Sequence, residues 1–178
     1  MRNVLVTAGS DRLRHRDTRL GLALAGCFAG IVATVPMTTA MVRIHRRLPR
    51  RQRYALPPRI ITDGVAARLP VPDRMLPEAG PGRALAAHFA FGAATGGLYG
   101  AATAQMRIKP GLTSGIAYGL GVWAASYLGW VPAAGLMPHA TKQPAQRNLM
   151  MIAAHIVWGA ALGAVTAATA PSEDTGRH

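Results

Sequence analysis

The sequence predicts an all-α membrane protein: a bundle of four transmembrane helices built from two tandem helical-hairpin repeats. Two observations predict it, namely four long stretches without Asp, Glu, Lys or Arg, and a segment that recurs later in the chain. A helix needs about 20 mostly apolar residues to cross a bilayer. The uncharged stretches are all long enough, and they cover residues 20–42, 84–106, 110–141 and 148–172.

The first predicted span covers residues 20–42, between a polar basic arm at residues 1–19 and a basic, proline-rich link at residues 43–83. Pro36 lies inside this span and predicts a kink or an exit, because proline removes one backbone hydrogen bond from a helix. Within the link, residues 60–69 lie between two prolines and predict a short interfacial helix.

The second and third spans, residues 84–105 and 112–131, are joined by a link of only a few residues. So short a link requires an antiparallel helical hairpin. A connector that contains two prolines leads to the fourth span, residues 148–168. The membrane domain thus covers residues 20–170, and a polar tail at residues 171–178 follows it.

The charge pattern excludes several classes of function. The net charge is +13, but the 20 Lys and Arg residues lie almost entirely outside the spans, where they attract anionic lipid headgroups. No nucleic-acid-binding motif accompanies them, so we expect no nucleic-acid partner. The spans contain no carboxylate, so we do not expect an enzyme. The arginines predicted to contact the bilayer surface are Arg43, Arg46, Arg47, Arg50, Arg51 and Arg53.

The recurring segment predicts two related halves. Residues 86–96 return as residues 153–163 without a gap, and eight of the sixteen positions from Ala86 to Ala101 are identical in the second copy. Val35-Pro36 also recurs as Val131-Pro132, where Pro132 ends the third span. Because the repeated unit contains two spans, the halves should be related by a pseudo-two-fold axis along the membrane normal.

The repeat places His88 and His155 at matching positions on the second and fourth spans. Both should point into the bundle at a similar depth. Glycines that recur every fourth residue let helix backbones approach closely, and they predict helix packing and a homo-oligomer. These glycines are Gly26, Gly30, Gly92, Gly96, Gly115, Gly119, Gly159 and Gly163.

Short motifs are spread over residues 87–160. They are, in chain order, His88 with Phe91 and Tyr99, then Ile108-Lys109, Gly115 and Gly119, Pro132-Ala133-Ala134-Gly135-Leu136-Met137-Pro138, and His155 with Trp158. In these motifs the chain resembles the YagU-like family of small bacterial inner-membrane proteins. The first span and its link depart from that family's pattern. The resemblance implies an inner-membrane location and an association with acid tolerance, and it implies no catalytic residues.

The histidine pair allows several interpretations. Each histidine could be structural, bonded to Thr34, Thr38, Ser126 or a carbonyl freed by a proline. Two inward histidines at equal depth could instead hold a b-type haem between flat walls of Phe91 and Trp158. A third interpretation is a soft-metal site for Cu(I), since imidazole and thioether suit that ion. Its ligands would come from Met37, Met41, Met137, His139, Met150 and Met151.

A proton or metal transporter is the last alternative, because histidine titrates near neutral pH and pseudo-symmetry is common in transporters. Four spans enclose little space, so this function would need an oligomer. The sequence thus predicts a small integral membrane protein with a scaffold, stress-linked or transport-associated role. It leaves open the ligand, the partner proteins and the orientation of the termini.

Overall fold

The computed structural model describes residues 2–70 and 80–170, with side chains from Thr18 onward. These residues are helical and contain no strand, which confirms the predicted fold class at the level of an all-α protein. The helices are α1 (Arg2–His45), α2 (Pro57–Ala66), α3 (Pro81–Met106), α4 (Leu112–Ala124), α5 (Val131–Ala133) and α6 (Ala145–Thr169). A π-helical turn, Ala125–Trp130, joins α4 to α5, and 3-10 turns occupy Arg50–Gln52 and Ala140–Lys142.

Two of the described helices are long and apolar enough to cross a membrane: Thr18–His45 and Ala145–Thr169. They coincide with the first and fourth predicted spans. The second predicted span is α3, which is long enough at 26 residues but carries several glycines and His88. The third is divided, because α4 has only 13 residues before the π turn interrupts it.

The first helix differs from its prediction at both ends. It begins at Arg2, within the segment predicted as a polar arm, and continues to His45. Pro36 therefore lies inside a helix and does not end it. Nearby threonine hydroxyls each donate to the carbonyl four residues earlier. These bonds are Thr34 to Gly30 at 2.7 Å, Thr38 to Thr34 at 2.7 Å and Thr39 to Val35 at 3.0 Å.

Helix α1 packs on α3 through glycine. A Cβ atom added at Gly26 would overlap the carbonyl of Gly96, and one added at Gly30 would overlap the carbonyl of Gly92. Rising residue numbers on α1 meet falling numbers on α3, so the two helices are antiparallel. Their backbones approach so closely that only glycine fits at these positions.

Helices α4 and α6 form a second pair of the same kind. A Cβ at Gly115 would overlap the carbonyl of Gly159, and one at Gly163 would overlap the carbonyl of Gly111. Gly119 meets the carbonyl of His155 in the same way. These glycine surfaces are occupied by helices of the same chain, so they are not the surface through which a homo-oligomer would form.

The glycine contacts align the two pairs with each other. Gly30 and Gly115 occupy equivalent positions in the two pairs. Gly30 faces the carbonyl of Gly92 and the Cα atom of Gly96 on α3, and Gly115 faces the carbonyl of Gly159 and the Cα atom of Gly163 on α6. In this alignment Pro36 corresponds to Gly121. The alignment of Pro36 with Pro132 was therefore wrong: Pro132 lies beyond the π turn, in α5, much farther from the glycine contact.

Helices α3 and α4 contact each other through tyrosine side chains, close to the short link and farther along α3. Tyr99 Oη lies 2.8 Å from Ser114 Oγ, and Tyr118 Oη donates to the carbonyl of Thr95 at 2.7 Å. Beyond these contacts the helices separate, while α1 and α6 pack on each other beneath them. This separation leaves room for the candidate site.

Candidate ligand cavity

A cavity of about 400 Å³ lies between α3 and the π turn, and we refer to it as the α3–π cavity. Its floor comes from α1 and α6, and α2 covers one end. The volume falls within the range of about 300–1,000 Å³ that is typical of small-molecule sites. Side chains from three elements line it most prominently: His88 and Phe91 of α3, Tyr127 and Trp130 of the π turn, and His155 and Trp158 of α6.

The structure brings His88 and His155 to this one cavity. His155 is buried, and its Nδ1 lies 2.7 Å from the carbonyl of Met151. A carbonyl only accepts, so Nδ1 carries the hydrogen, and in the neutral imidazole Nε2 keeps its lone pair. The Nε2 atom of His88 is enclosed and has no hydrogen-bond partner in the described part of the chain. Neither histidine bonds to Thr34, Thr38 or Ser126, which the sequence had offered as partners.

The π turn shapes one wall of the cavity. Gly129 departs from helical geometry, with φ −117° and ψ −107°. The turn buries Ser126 and Tyr127, and the Tyr127 ring meets the His155 ring edge-on at 6.0 Å between centroids. Single π turns within α-helices are frequent at functional sites. The uncharged run predicted a regular helix up to Val131 and not this turn, whose one local signal in the sequence is Gly129 shortly before Pro132.

Aromatic rings form most of the flat surface in the cavity. The Phe91 ring of α3 and the Trp130 ring of the π turn are in tilted contact, with centroids 6.4 Å apart. Trp158 lies against Tyr118, with centroids 6.2 Å apart, and its Nε1 points to the carbonyl of Gly30 at 3.4 Å. The hydroxyl of Ser126 accepts a hydrogen bond from Trp130 Nε1 at 3.2 Å. The cavity is therefore mainly apolar, and most of its polar atoms are already bonded.

Helix α2 covers the cavity with its apolar side, including Ile61 and Val65. An ion pair ties it to α3, since Arg83 Nη2 donates to Asp63 Oδ1 at 2.7 Å. A second contact, from Arg59 to Asp63, is longer at 3.6 Å. The Arg83 hydrogen bond lowers the pKa of Asp63 below its ordinary value.

We expect Asp63→Asn to loosen α2 from α3. In the wild-type protein the ionised carboxylate contributes at neutral pH, and this contribution is lost as the pH falls below the ordinary value of 3.8 and through the lowered pKa. Spin labels at the exposed positions 67 and 90, with Cys27 replaced by alanine, would report the α2–α3 distance. The variant should broaden the distance distribution at pH 7. A distribution unchanged in Asp63→Asn would show that apolar packing alone positions α2.

The predicted copper ligands do not come together. Met37 and Met151 line the cavity, but the other methionines of that set are buried in the core outside its lining. His139 is half-buried and bonds to Thr141 at 2.9 Å. Among the described residues there is no group of three or more His, Cys, Asp or Glu side chains arranged to hold a metal ion.

Arg147 is a structural residue that the sequence analysis did not single out. It lies in the first turn of α6 and is 1% exposed. Its guanidinium donates to the carbonyls of Gln52, Tyr54 and Ala55, and it stacks on the Tyr54 ring at 3.7 Å. Arg147 thus ties the long basic link to α6. The six arginines predicted to contact lipid headgroups are all exposed at this same end of the molecule.

Comparison with known families gives one match. The model of a family described as "protein of unknown function (DUF1440)" matches residues 48–164. The chain belongs to this family. The DUF1440 region contains both histidines, the π turn and α2, whereas α1 lies before it. No curated protein and no solved structure matches the chain. The resemblance to the YagU-like family stays a prediction.

Proposed function

We propose that this DUF1440 protein is a multi-pass protein of the bacterial inner membrane, with four spans, that binds an apolar, bilayer-soluble molecule in the α3–π cavity. The observation that carries this proposal is the cavity itself. It is apolar and walled by aromatic rings, and its lining includes His88, whose enclosed Nε2 has no hydrogen-bond partner in the described residues. We propose a binding protein rather than an enzyme, because the cavity lining contains no carboxylate, cysteine or lysine.

The outward surface supports four spans. Besides α1 and α6, helix α3 exposes Leu85, Phe91 and Leu98, and the α4–α5 segment exposes Leu128 and Trp130. Water-soluble proteins rarely expose apolar patches of this extent, whereas in a bilayer such side chains contact lipid. The backbone path from Leu112 to Ala133 is helical throughout apart from the distortion at Gly129, so its length suits a span.

Labelling of single cysteines tests this topology. With Cys27 replaced by alanine, cysteines are placed at the exposed positions Arg51, Lys109 and Lys142. Four spans put Lys109 on the opposite face of the membrane from the other two. A membrane-impermeant maleimide applied to intact cells should therefore distinguish Lys109 from both. If only α1 and α6 crossed the membrane, all three positions would label alike.

Lipid headgroups are the proposed partner of the basic surface. The exposed arginines lie in the last turn of α1 and directly after it, where an interfacial position is expected, and clustered basic residues attract anionic lipids. A homo-oligomer is also proposed, through a surface other than the glycine contacts.

A cavity-filling variant tests ligand binding. Ala87 lines the cavity, whereas Ala90 is exposed on the same helix and lies outside the lining. We expect protein purified from its native membranes in mild detergent to carry a bound apolar molecule, detected by native mass spectrometry. Ala87→Leu should lose most of this molecule and Ala90→Leu should retain it. Equal occupancy in both variants, or no bound mass in the wild-type protein, would contradict the proposal.

Haem is the second candidate, favoured by the two histidines that line one cavity. The Nδ1 hydrogen bond of His155 to Met151 is of the kind that orients an iron-binding histidine. The absorption spectrum of protein purified from haem-producing cells tests this candidate. A Soret band that is lost in both His88→Ala and His155→Ala would establish it, and a flat visible spectrum would reject it.

A further inference from the structure

We infer that the molecule bound in the α3–π cavity is an isoprenoid quinone, with a ring carbonyl hydrogen-bonded to His88. This inference rests on the proposed function, and it names the ligand class of the same site. The ring would lie among the aromatic side chains, and the tail would leave the cavity toward the lipid.

The polar atoms of the cavity favour a ligand with an isolated hydrogen-bonding group. Thr34 and Thr95 line the cavity, but their hydroxyls already donate to backbone carbonyls within their own helices. Ser126 accepts from Trp130, and His155 Nδ1 bonds to Met151. His155 Nε2 keeps only a lone pair and cannot donate to a carbonyl. The Nε2 atom of His88 lacks a partner in the described residues but is enclosed, so the ligand would reach it when the imidazole turns toward the cavity. A buried polar atom without a partner costs free energy, which a ligand carbonyl would recover.

The shape of the cavity favours a flat ring. Its lining includes the exposed rings of Phe91 and Trp130 and the buried rings of Trp158 and Tyr127. Aromatic faces pack well against planar rings by offset stacking or edge-to-face contact. A saturated acyl chain would gain contact area here but would leave His88 unsatisfied. A quinone would pack its ring against the aromatic side chains and bond its carbonyl to His88.

The opening of the cavity suits a long apolar tail. Phe91 is 42% exposed and Trp130 is 43% exposed, so the space between α3 and the π turn reaches the outer surface of the bundle. In the proposed topology this surface faces lipid. A quinone could therefore enter sideways from the bilayer and keep its isoprenoid tail there. The apolar side of α2 would cover the head group from above.

The test uses full-length protein in detergent and decylubiquinone as the probe. Two of the three tryptophans, Trp130 and Trp158, line the cavity, so the bound quinone should quench their fluorescence. In Ala87→Leu the added side chain fills the cavity, so the quenching that remains in this variant comes from quinone dissolved in the micelle. We expect saturable quenching in the wild-type protein, and a Kd about tenfold higher in His88→Leu, since one hydrogen bond is lost. His88→Gln, which keeps an N–H donor, should restore most of the affinity.

Oleic acid is the comparison ligand, since it has a long acyl chain and a carboxyl group that can also bond to His88, but no ring. Quinone affinity that is unchanged in His88→Leu, or oleic acid that displaces decylubiquinone with equal or higher affinity, would overturn the quinone assignment and leave the proposed apolar site intact. If neither molecule binds better to the wild-type protein than to Ala87→Leu, the proposed function itself fails. Retention of the wild-type melting temperature in His88→Leu shows that the loss of affinity is not a loss of fold.

Discussion

Arg147→Ala should be among the most destabilising single substitutions in this chain, costing about 3 kcal/mol of unfolding free energy. The side chain is buried, and it donates three hydrogen bonds at 2.7, 3.3 and 3.0 Å to the carbonyls of Gln52, Tyr54 and Ala55. Removing it takes this donor from the carbonyls of Gln52 and Ala55, while the Tyr54 carbonyl keeps its 3.1 Å contact with His45 Nε2. It also removes the cation–π contact with Tyr54. The long link would then lose its main attachment to α6.

Equilibrium unfolding in mixed detergent and SDS micelles measures this cost. Lys142→Ala is the matched control, because Lys142 is an exposed cation in the connector just before α6. It should leave stability within about 0.5 kcal/mol of the wild-type value. Arg147→Lys should lose most of the stabilisation as well, since an ammonium group cannot reproduce the planar fork of guanidinium donors. Equal stability of Arg147→Ala and Lys142→Ala would show that the link is held by other contacts.

The contrast between the helices and Arg147 shows what sequence patterns can reveal. Uncharged runs and proline positions predicted α2, α3 and α6 to within a few residues, because these signals are local. They did not predict the extension of α1 to Arg2 or the π turn. The structure has α2 at Pro57–Ala66 where residues 60–69 were expected. The role of Arg147 depends on carbonyls more than 90 residues earlier in the chain. No periodicity encodes such a contact, so the sequence offered only an arginine near a helix start.

The candidate site was predictable only in part, because the sequence carries local signals and repeats but not long-range contacts. The repeat indicated that His88 and His155 belong together, and both line the cavity. It did not indicate that their surroundings differ, with His155 bonded to Met151 and the Nε2 atom of His88 unsatisfied. The cavity itself arises from the π turn and from the placement of α2, which are tertiary features. The repeat alignment failed at Pro36 because two Val-Pro pairs resembled each other while the glycine contacts set the actual register.

Gly115→Ala should destabilise the protein by about 2–3 kcal/mol, because the added methyl group overlaps backbone rather than a movable side chain. Its Cβ would meet the carbonyl of Gly159 and lie 2.8 Å from the Cα atom of Gly163. Helices α4 and α6 would have to move apart, which would weaken packing along their whole contact. Gly121→Ala in the same helix is the matched control, since nothing lies within 4 Å of the added Cβ. That change should be neutral or stabilising by up to about 1 kcal/mol.

The same unfolding assay applied to Gly30→Ala extends the argument to the other half of the molecule. Gly30 faces the carbonyl of Gly92 and the Cα atom of Gly96, as Gly115 faces the corresponding atoms of α6. If the two helix pairs are equivalent halves, Gly30→Ala and Gly115→Ala should lose similar amounts of free energy. A large loss in only one of them would mean that one pair carries the stability of the bundle and that the other can separate. Separation of α1 from α3 would then widen the α3–π cavity at its floor, where Thr34 lies against Gly92.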